Sequence, residues 1–367
     1  MKLRYKILNT LLSLVAITVV GLAFALSHNS PCESPVATTA GQTTMKAVRY
    51  YCYGSADVLE FVDTAKPVPA DNEVLVKVHA ASVNPLDWHY MRGSPYIMRA
   101  MVGMGAPTDP TMGVDFAGTV ESVGVKVNQF KAGDRVFGGR GGAFAEYLTV
   151  PEDRAIAKMP ANVSFEQAAS VPIAAITALQ ALQDMGKVKA GQKVLINGAS
   201  GGVGTFAVQI AKSLGAEVTG VCSARNADMV RSLGADHVID YRQENYTDSD
   251  EVYDVIIDNV GNHSLLANRR VLTPQGIFVI VGGGKGNWLA PLSGPLQAAL
   301  LAPFVEQEIH LLLAELEKTG LQQLADLMQT GKMTPVIDRR YAFSEIAQAI
   351  RYSEKGHAKG KIIVNME

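Results

Sequence analysis

Lys193-Val-Leu-Ile-Asn-Gly-Ala-Ser-Gly-Gly-Val-Gly204 is a short apolar run that stops in glycines and restarts as an apolar-periodic stretch. That pattern reads as a buried strand turning tightly into a helix. From Ala199 the spacing is Ala-x-Gly201-x-x-Gly204, a dinucleotide fingerprint with its first glycine replaced by alanine. Glycine at the middle position lets backbone approach phosphates, and glycine at the last lets helix and strand pack closely. The free N–H groups of a helix entering at Thr205 favour an anion. Ser200, Gly201, Gly202, Val203 and Gly204 are therefore a candidate pyrophosphate cradle.

Outward from this turn, strands and helices alternate from about Glu166. Strands are expected at 194–197, 217–222, 237–240, 255–259 and 276–281, with helices at 205–214 and 227–233. Alternation of this kind implies a doubly wound parallel sheet with right-handed crossovers. Leu214-Gly-Ala216 and Leu233-Gly-Ala235 close successive helices, each glycine suiting a left-handed cap. Before this region, residues 45–165 read as short strands with turn punctuation, at 46–51, 73–81, 113–123, 135–137 and 145–150, a mostly β, barrel-like unit. After Val281 come a glycine-rich bend and an apolar, proline-broken segment, 288–304, that fits core packing or a dimer edge. A strand at 308–313, helices at 321–328 and 343–353 and a strand at 361–365 follow, and the tail is expected to return to the first unit. The predicted domains are 166–316 for the nucleotide and 45–165, completed by 317–367, for the substrate.

The 367 residues exceed one ordinary core. Charge is balanced, with 33 basic and 35 acidic residues, so no basic stripe argues for nucleic acid. Cys32, Cys52 and Cys222 are scattered singly, giving neither a disulfide framework nor a metal clip, and the folded part reads as a reduced-compartment enzyme. Lys2, Arg4 and Lys6 precede an uncharged stretch, 7–26, which is expected to form a single-pass membrane anchor, followed by a flexible tether over 27–44. A cleaved leader, and a cytoplasmic product started at Met45, are the alternatives. The basic flank keeps the N-terminus cytoplasmic and sends the enzyme across the membrane, whereas a cytosolic cofactor pool argues for the opposite side.

Strand 217–222 ends where a ribose-binding acid is expected, about 20 residues past the glycines. The sequence there is Cys222-Ser-Ala-Arg225, a hydroxyl and a guanidinium fork suited to a 2′-phosphate. Ser223 and Arg225 point to NADP(H) over NAD(H).

Several tags occur in order: Tyr53-Gly54 with Val58-Leu59, Ala81-Ser-Val-Asn-Pro-Leu-Asp87, Gly113-Val-Asp-Phe-Ala-Gly118, Gly133-Asp-Arg-Val136, Ala145-Glu-Tyr147, Thr177-Ala178, the glycine turn, Leu233-Gly-Ala-Asp-His-Val-Ile-Asp240 and Gly360-Lys361. With these, the chain from Met45 onward resembles the medium-chain dehydrogenase/reductase superfamily, in its zinc-independent quinone oxidoreductase-like, enoyl-reductase branch. The resemblance implies a GroES-like substrate domain, a Rossmann domain and a cleft between them. It places Thr177, Asn259-Val260 and Val281-Gly282-Gly283 against the nicotinamide, Tyr241 near the adenosine and Lys361 near the ribose or phosphates.

Zinc relatives carry cysteine where this chain has Asn84, and His-Glu where it has Val114-Asp115. Their four-cysteine lobe is replaced by 137–144, so no metal is expected. Hydride transfer without a Lewis acid needs an already electrophilic acceptor, a quinone or an α,β-unsaturated carbonyl. Asn84, Asp87, His89 and Tyr90 are the candidate catalytic residues. Asn84 would orient substrate or nicotinamide, Asp87 would act or order the loop, and His89, Tyr90 or solvent would give the proton. An NAD(P)-dependent alcohol dehydrogenase or carbonyl reductase, and a non-catalytic membrane-tethered NADPH-binding or redox-sensing protein, are the competing functions. A homodimer is the one further partner considered.

Overall fold

The computed structural model describes residues 2–34, 41–283, 286–288, 294, 297 and 306–366. Most of the apolar segment expected over 288–304, and part of the tether, lie outside these residues.

The first unit is built on β3 (Glu73–Val83), an eleven-residue strand buried along nearly its whole length because both its faces are covered. Around it run β4 (Asp115–Val123), β5 (Arg135–Gly139), β6 (Tyr147–Pro151) and β7 (Ile156–Lys158). Two strands from the far end of the chain, β14 (Ile337–Ala342) and β15 (Lys361–Asn365), complete the order β14-β15-β3-β4-β5-β7, and β6 pairs the first half of β3 on the edge that β15 takes further along. Val364 of β15 sits opposite Ala81 of β3. A hairpin of β1 (Thr44–Arg49) and β2 (Glu60–Ala65) packs beside it. The short helix Pro85–Arg92 leaves the end of β3 with proline in its first turn, where a missing N–H costs nothing.

The second unit is a six-stranded sheet in which every neighbouring pair is parallel. Its order is β10 (His237–Asp240), β9 (Glu217–Cys222), β8 (Lys193–Asn197), β11 (Tyr253–Asp258), β12 (Leu272–Ile280) and β13 (Glu308–Leu311). Strand order reverses between β8 and β11, which opens a crevice at the carboxyl edge of the sheet, where doubly wound folds bind ligands. One apolar core runs through both units: Ala80, Ala117 and Phe137 of the barrel are continuous with Ala174, Ala175 and Ala178 of the helix Pro172–Gln180 and with the sheet beyond it.

Two expectations need correction. The leader forms one helix, Lys2–Ser27, but among the described residues no helix is long and apolar enough to cross a membrane. Its last turn is also committed to the protein, with Leu26 buried and its carbonyl accepting from Arg99. The second correction concerns the cysteines. Cys32 and Cys52 are joined in a disulfide, and Cys222 alone is free. Spacing gave no sign of this, because the pairing depends on how the leader lies against the barrel.

Candidate active site

The glycine turn joins β8 to the helix Gly202–Ser213, with Gly201 in extended conformation at the N-cap. A Cβ on Gly204 would lie 2.1 Å from the carbonyl oxygen of Gly198, so the helix sits against the end of its strand only because that atom is missing. The same turn is tied to its neighbours. Gly360 donates its N–H to Ser200 O at 3.0 Å, and Asn226 Nδ2 donates to Ser200 Oγ at 3.0 Å. Asn226 is buried and its Oδ1 has no protein partner. Ser223 is buried at the end of β9, Arg225 is exposed two residues on, and Tyr241 N donates to Cys222 O from the end of β10. Ser223, Arg225 and Tyr241 therefore share one edge of the sheet with the turn.

At the switch point the network is denser. Asn197 Nδ2 donates to Asp258 Oδ1 (2.9 Å) and Asn262 Oδ1 (2.8 Å), and Asn259 Nδ2 donates to Asn197 O (2.9 Å). Asp258 Oδ1 also accepts from the N–H groups of Val260 and Gly261, while its carbonyl accepts from Val281 and Gly282. A Cβ on Gly282 would lie 2.1 Å from Asn259 O, so the two loops touch through backbone. Asn259 Oδ1 is buried without a partner. Two buried acceptors without donors, on loops at the carboxyl edge beside a backbone cradle, are what a nucleotide-shaped ligand with hydroxyl and amide donors would satisfy. The residues present fit a nicotinamide dinucleotide.

Facing this edge, the barrel contributes a buried polar cluster. Asp115, on β4, accepts through Oδ2 from Ser82 Oγ and Asn84 Nδ2, each at 2.9 Å, and through Oδ1 from the N–H of Ile173 at the start of the helix Pro172–Gln180. Lys361 Nζ lies 2.5 Å from Asn84 Oδ1 and 3.5 Å from Asp115 Oδ2. Burial lowers the Lys361 pKa, opposed by the carboxylates of Asp115 and Asp87. The Lys361 stem passes Gly202, where a Cβ would come within 3.3 Å of its Cδ. Lys361 is thus beside the candidate phosphate cradle in backbone, but its ammonium turns into the barrel. Thr177, one helical turn past Ile173, is nearly buried with its hydroxyl on Ile173 O.

Asn84 has its amide spent on both sides, with Lys361 on the oxygen and Asp115 on the nitrogen, and its main-chain N–H donates to Asp87 Oδ2 at 2.7 Å. Its role is to join the loop to β4 and β15. Asp87 is fully enclosed, and burial, with Asp115 nearby, pushes its carboxyl up to about 7 against the opposing Asn84 hydrogen bond and Lys361 charge. His89 stacks on Trp88 with ring centroids 3.7 Å apart, and its Nδ1 is 2.7 Å from Ser94 O. A carbonyl only accepts, so the proton sits on Nδ1, leaving Nε2 an acceptor in the neutral ring that burial favours. Neutral His89 is therefore not placed to donate from Nε2, and Tyr90, half-buried on the same helix, is the remaining phenol among the candidates. Asp115, Ser82 and Asn226 were not singled out from sequence. An acid inside the apolar run Val114-Asp-Phe-Ala117 is the signal that marks Asp115.

Among the described residues no group of three or more His, Cys, Asp or Glu could hold a metal ion. Four of the other histidines have protein partners: His79 on Thr119, His237 on Glu217, His310 on Glu308 and His263 against Tyr246.

Residues 70–161 match the alcohol dehydrogenase GroES-like domain family, and residues 233–364 match the zinc-binding dehydrogenase family. A mitochondrial NAD(P)H oxidoreductase of Mus musculus is 34% identical over 90% of this chain and 91% of its own length. The quinone oxidoreductase structure from Coxiella burnetii superposes with a TM-score of 0.77 at 32% identity, covering 89% of this chain and all of that one. The CurK enoyl reductase structure gives 0.78 at 26% identity with the same coverage.

Proposed function

Since the chain belongs to the medium-chain dehydrogenase/reductase superfamily and is an NAD(P)H-dependent oxidoreductase, we propose that it passes hydride from NADPH to quinones or α,β-unsaturated carbonyl double bonds, without zinc. The observation that carries this reading is the Lys361 ammonium lodged between Asn84 and Asp115. By resemblance, zinc relatives carry cysteine where this chain has Asn84 and His-Glu where it has Val114-Asp115. Here Asn84 and Asp115 are committed to a lysine and to each other, which supports an acceptor that is electrophilic on its own.

When bound, the nicotinamide supplies the hydride. This chain's residues bind and orient. The first-turn N–H groups of the helix Gly202–Ser213 would hold the pyrophosphate, and Ser223 and Arg225 would hold the 2′-phosphate. Asn259, Val260 and Val281 to Gly283, with Thr177, would hold the nicotinamide. Hydride reaching the β carbon of an enone leaves an enolate, to which Tyr90 or solvent gives the proton. The mitochondrial label of the Mus musculus relative belongs to that protein.

NADPH consumption by the full chain, treated with a chelator and offered quinones, enones, saturated aldehydes and simple alcohols with NADP+, tests the proposal. Turnover of the first two classes that survives chelation supports it. Turnover confined to alcohols, or lost with metal, overturns it.

A further inference from the structure

We propose that Cys32 and Cys52 form a thiol-exchange site, and that a small dithiol acting there loosens the contact by which the substrate unit grips the nucleotide domain beside the cleft. Cys32 is exposed and Cys52 is buried, so an external thiolate reaches only the Cys32 sulfur. Attack there breaks the S–S bond, forms a mixed disulfide on Cys32 and expels Cys52 as a thiolate, which takes a proton. The second thiol of the dithiol then displaces Cys32 and closes as the oxidised reagent, leaving two protein thiols.

Connectivity from the disulfide to the cleft runs through Arg99, whose guanidinium is buried. Its Nη1 donates to Leu26 O and His28 O, each at 3.0 Å, its Nε to Gly93 O at 2.8 Å and its Nη2 to Arg92 O at 3.2 Å. The rings of Tyr53 and Tyr96 lie 4.4 and 4.7 Å from its Cζ. One cation thus joins the leader, the residue after Cys52, the end of the helix Pro85–Arg92, and Tyr96. Ser30 adds a bond from its N–H to Gly105 O at 2.8 Å. Tyr96 in turn meets the nucleotide domain: its N–H donates to Asn287 O at 2.8 Å, its ring stands edge-on to Trp288, and Ser94 Oγ donates to Asn287 Oδ1 at 2.6 Å. Asn287 and Trp288 follow the Val281 to Gly283 loop. The disulfide keeps the leader segment seated, the seated segment supplies two of the carbonyls on Arg99, and Arg99 fixes Tyr96. Disulfides persist where the surroundings oxidise, so the pair reports thiol poise.

The test is amide hydrogen exchange on the full chain, oxidised and after dithiothreitol, with Cys32→Ser as the permanently open control. Reduction is expected to speed exchange at residues 26–34 and at Tyr96 by roughly two- to thirtyfold, the span of a 0.5–2 kcal/mol coupling. The Cys32→Ser protein should show the fast pattern and ignore dithiothreitol. Two results would overturn the proposal: alkylation of both Cys32 and Cys52 in protein never exposed to reductant, or unchanged exchange at Tyr96 when labelling shows the bond has opened. Cys222, buried in β9, serves as the internal control that stays unlabelled.

Discussion

Lys361 shows how a residue's identity is legible when its partners are not. The Gly360-Lys361 tag marks it as near the cofactor, yet its ammonium is bonded to Asn84, 277 positions away in sequence, a contact no local pattern encodes. Lys361→Met removes the cation from the buried group that it forms with Asn84 and Asp115. The expected loss is about 3–5 kcal/mol of unfolding free energy, because breaking one side of a buried pair strands the other, and denaturant titration measures it. Asp87 carries a second consequence. Its folded value of about 7 lies above the ~3.9 of an unfolded aspartate, so the fold favours the neutral acid. That stabilisation is complete below about pH 4 and is lost as the pH rises through about 7. Asp87→Asn keeps an acceptor for the Asn84 N–H and cannot ionise, so its stability relative to the parent should grow from about pH 5 to about pH 8. An equal difference at both values would contradict the placement of Asp87.

At the scale of elements, strands with a clear apolar run were readable, and the misses have physical causes. β14, Ile-Asp-Arg-Arg-Tyr-Ala, is an exposed edge whose charges hide its pairing with β15. β2 has no buried side chain in its Glu-Phe-Val-Asp-Thr-Ala run, where Phe61 and Asp63 are exposed and the rest half-buried. The helix Pro172–Gln180 is buried nearly all round, so it has no polar face to give a period. The helix after the glycine turn begins at Gly202, three residues before the expected Thr205, because glycines that argue against helix by propensity are required there by packing. The end of β9 carries the cofactor preference. Arg225→Ala should weaken NADPH binding roughly ten- to a hundredfold, the worth of a charge-assisted hydrogen bond, and leave NADH binding unchanged. Titration of both dinucleotides checks this, and equal losses for the two would remove Arg225 from the 2′-phosphate.

For the whole molecule, the barrel, the parallel sheet and the return of the C-terminal strand were readable from the order of tags and the strand–helix alternation. The leader was not: its helix is fastened to the barrel by Arg99 and by Cys32–Cys52, and both depend on tertiary placement. The two units meet across a shared core, with the glycine turn on one side and the Lys361 cluster on the other. The central claim is that hydride passes between them to an activated double bond. The most direct measurement follows deuterium from NADPH labelled at nicotinamide C4 into the product of an enone reduction. The account predicts the label at the former β carbon of a saturated ketone. Label on a carbinol carbon, marking reduction of the carbonyl itself, would contradict it.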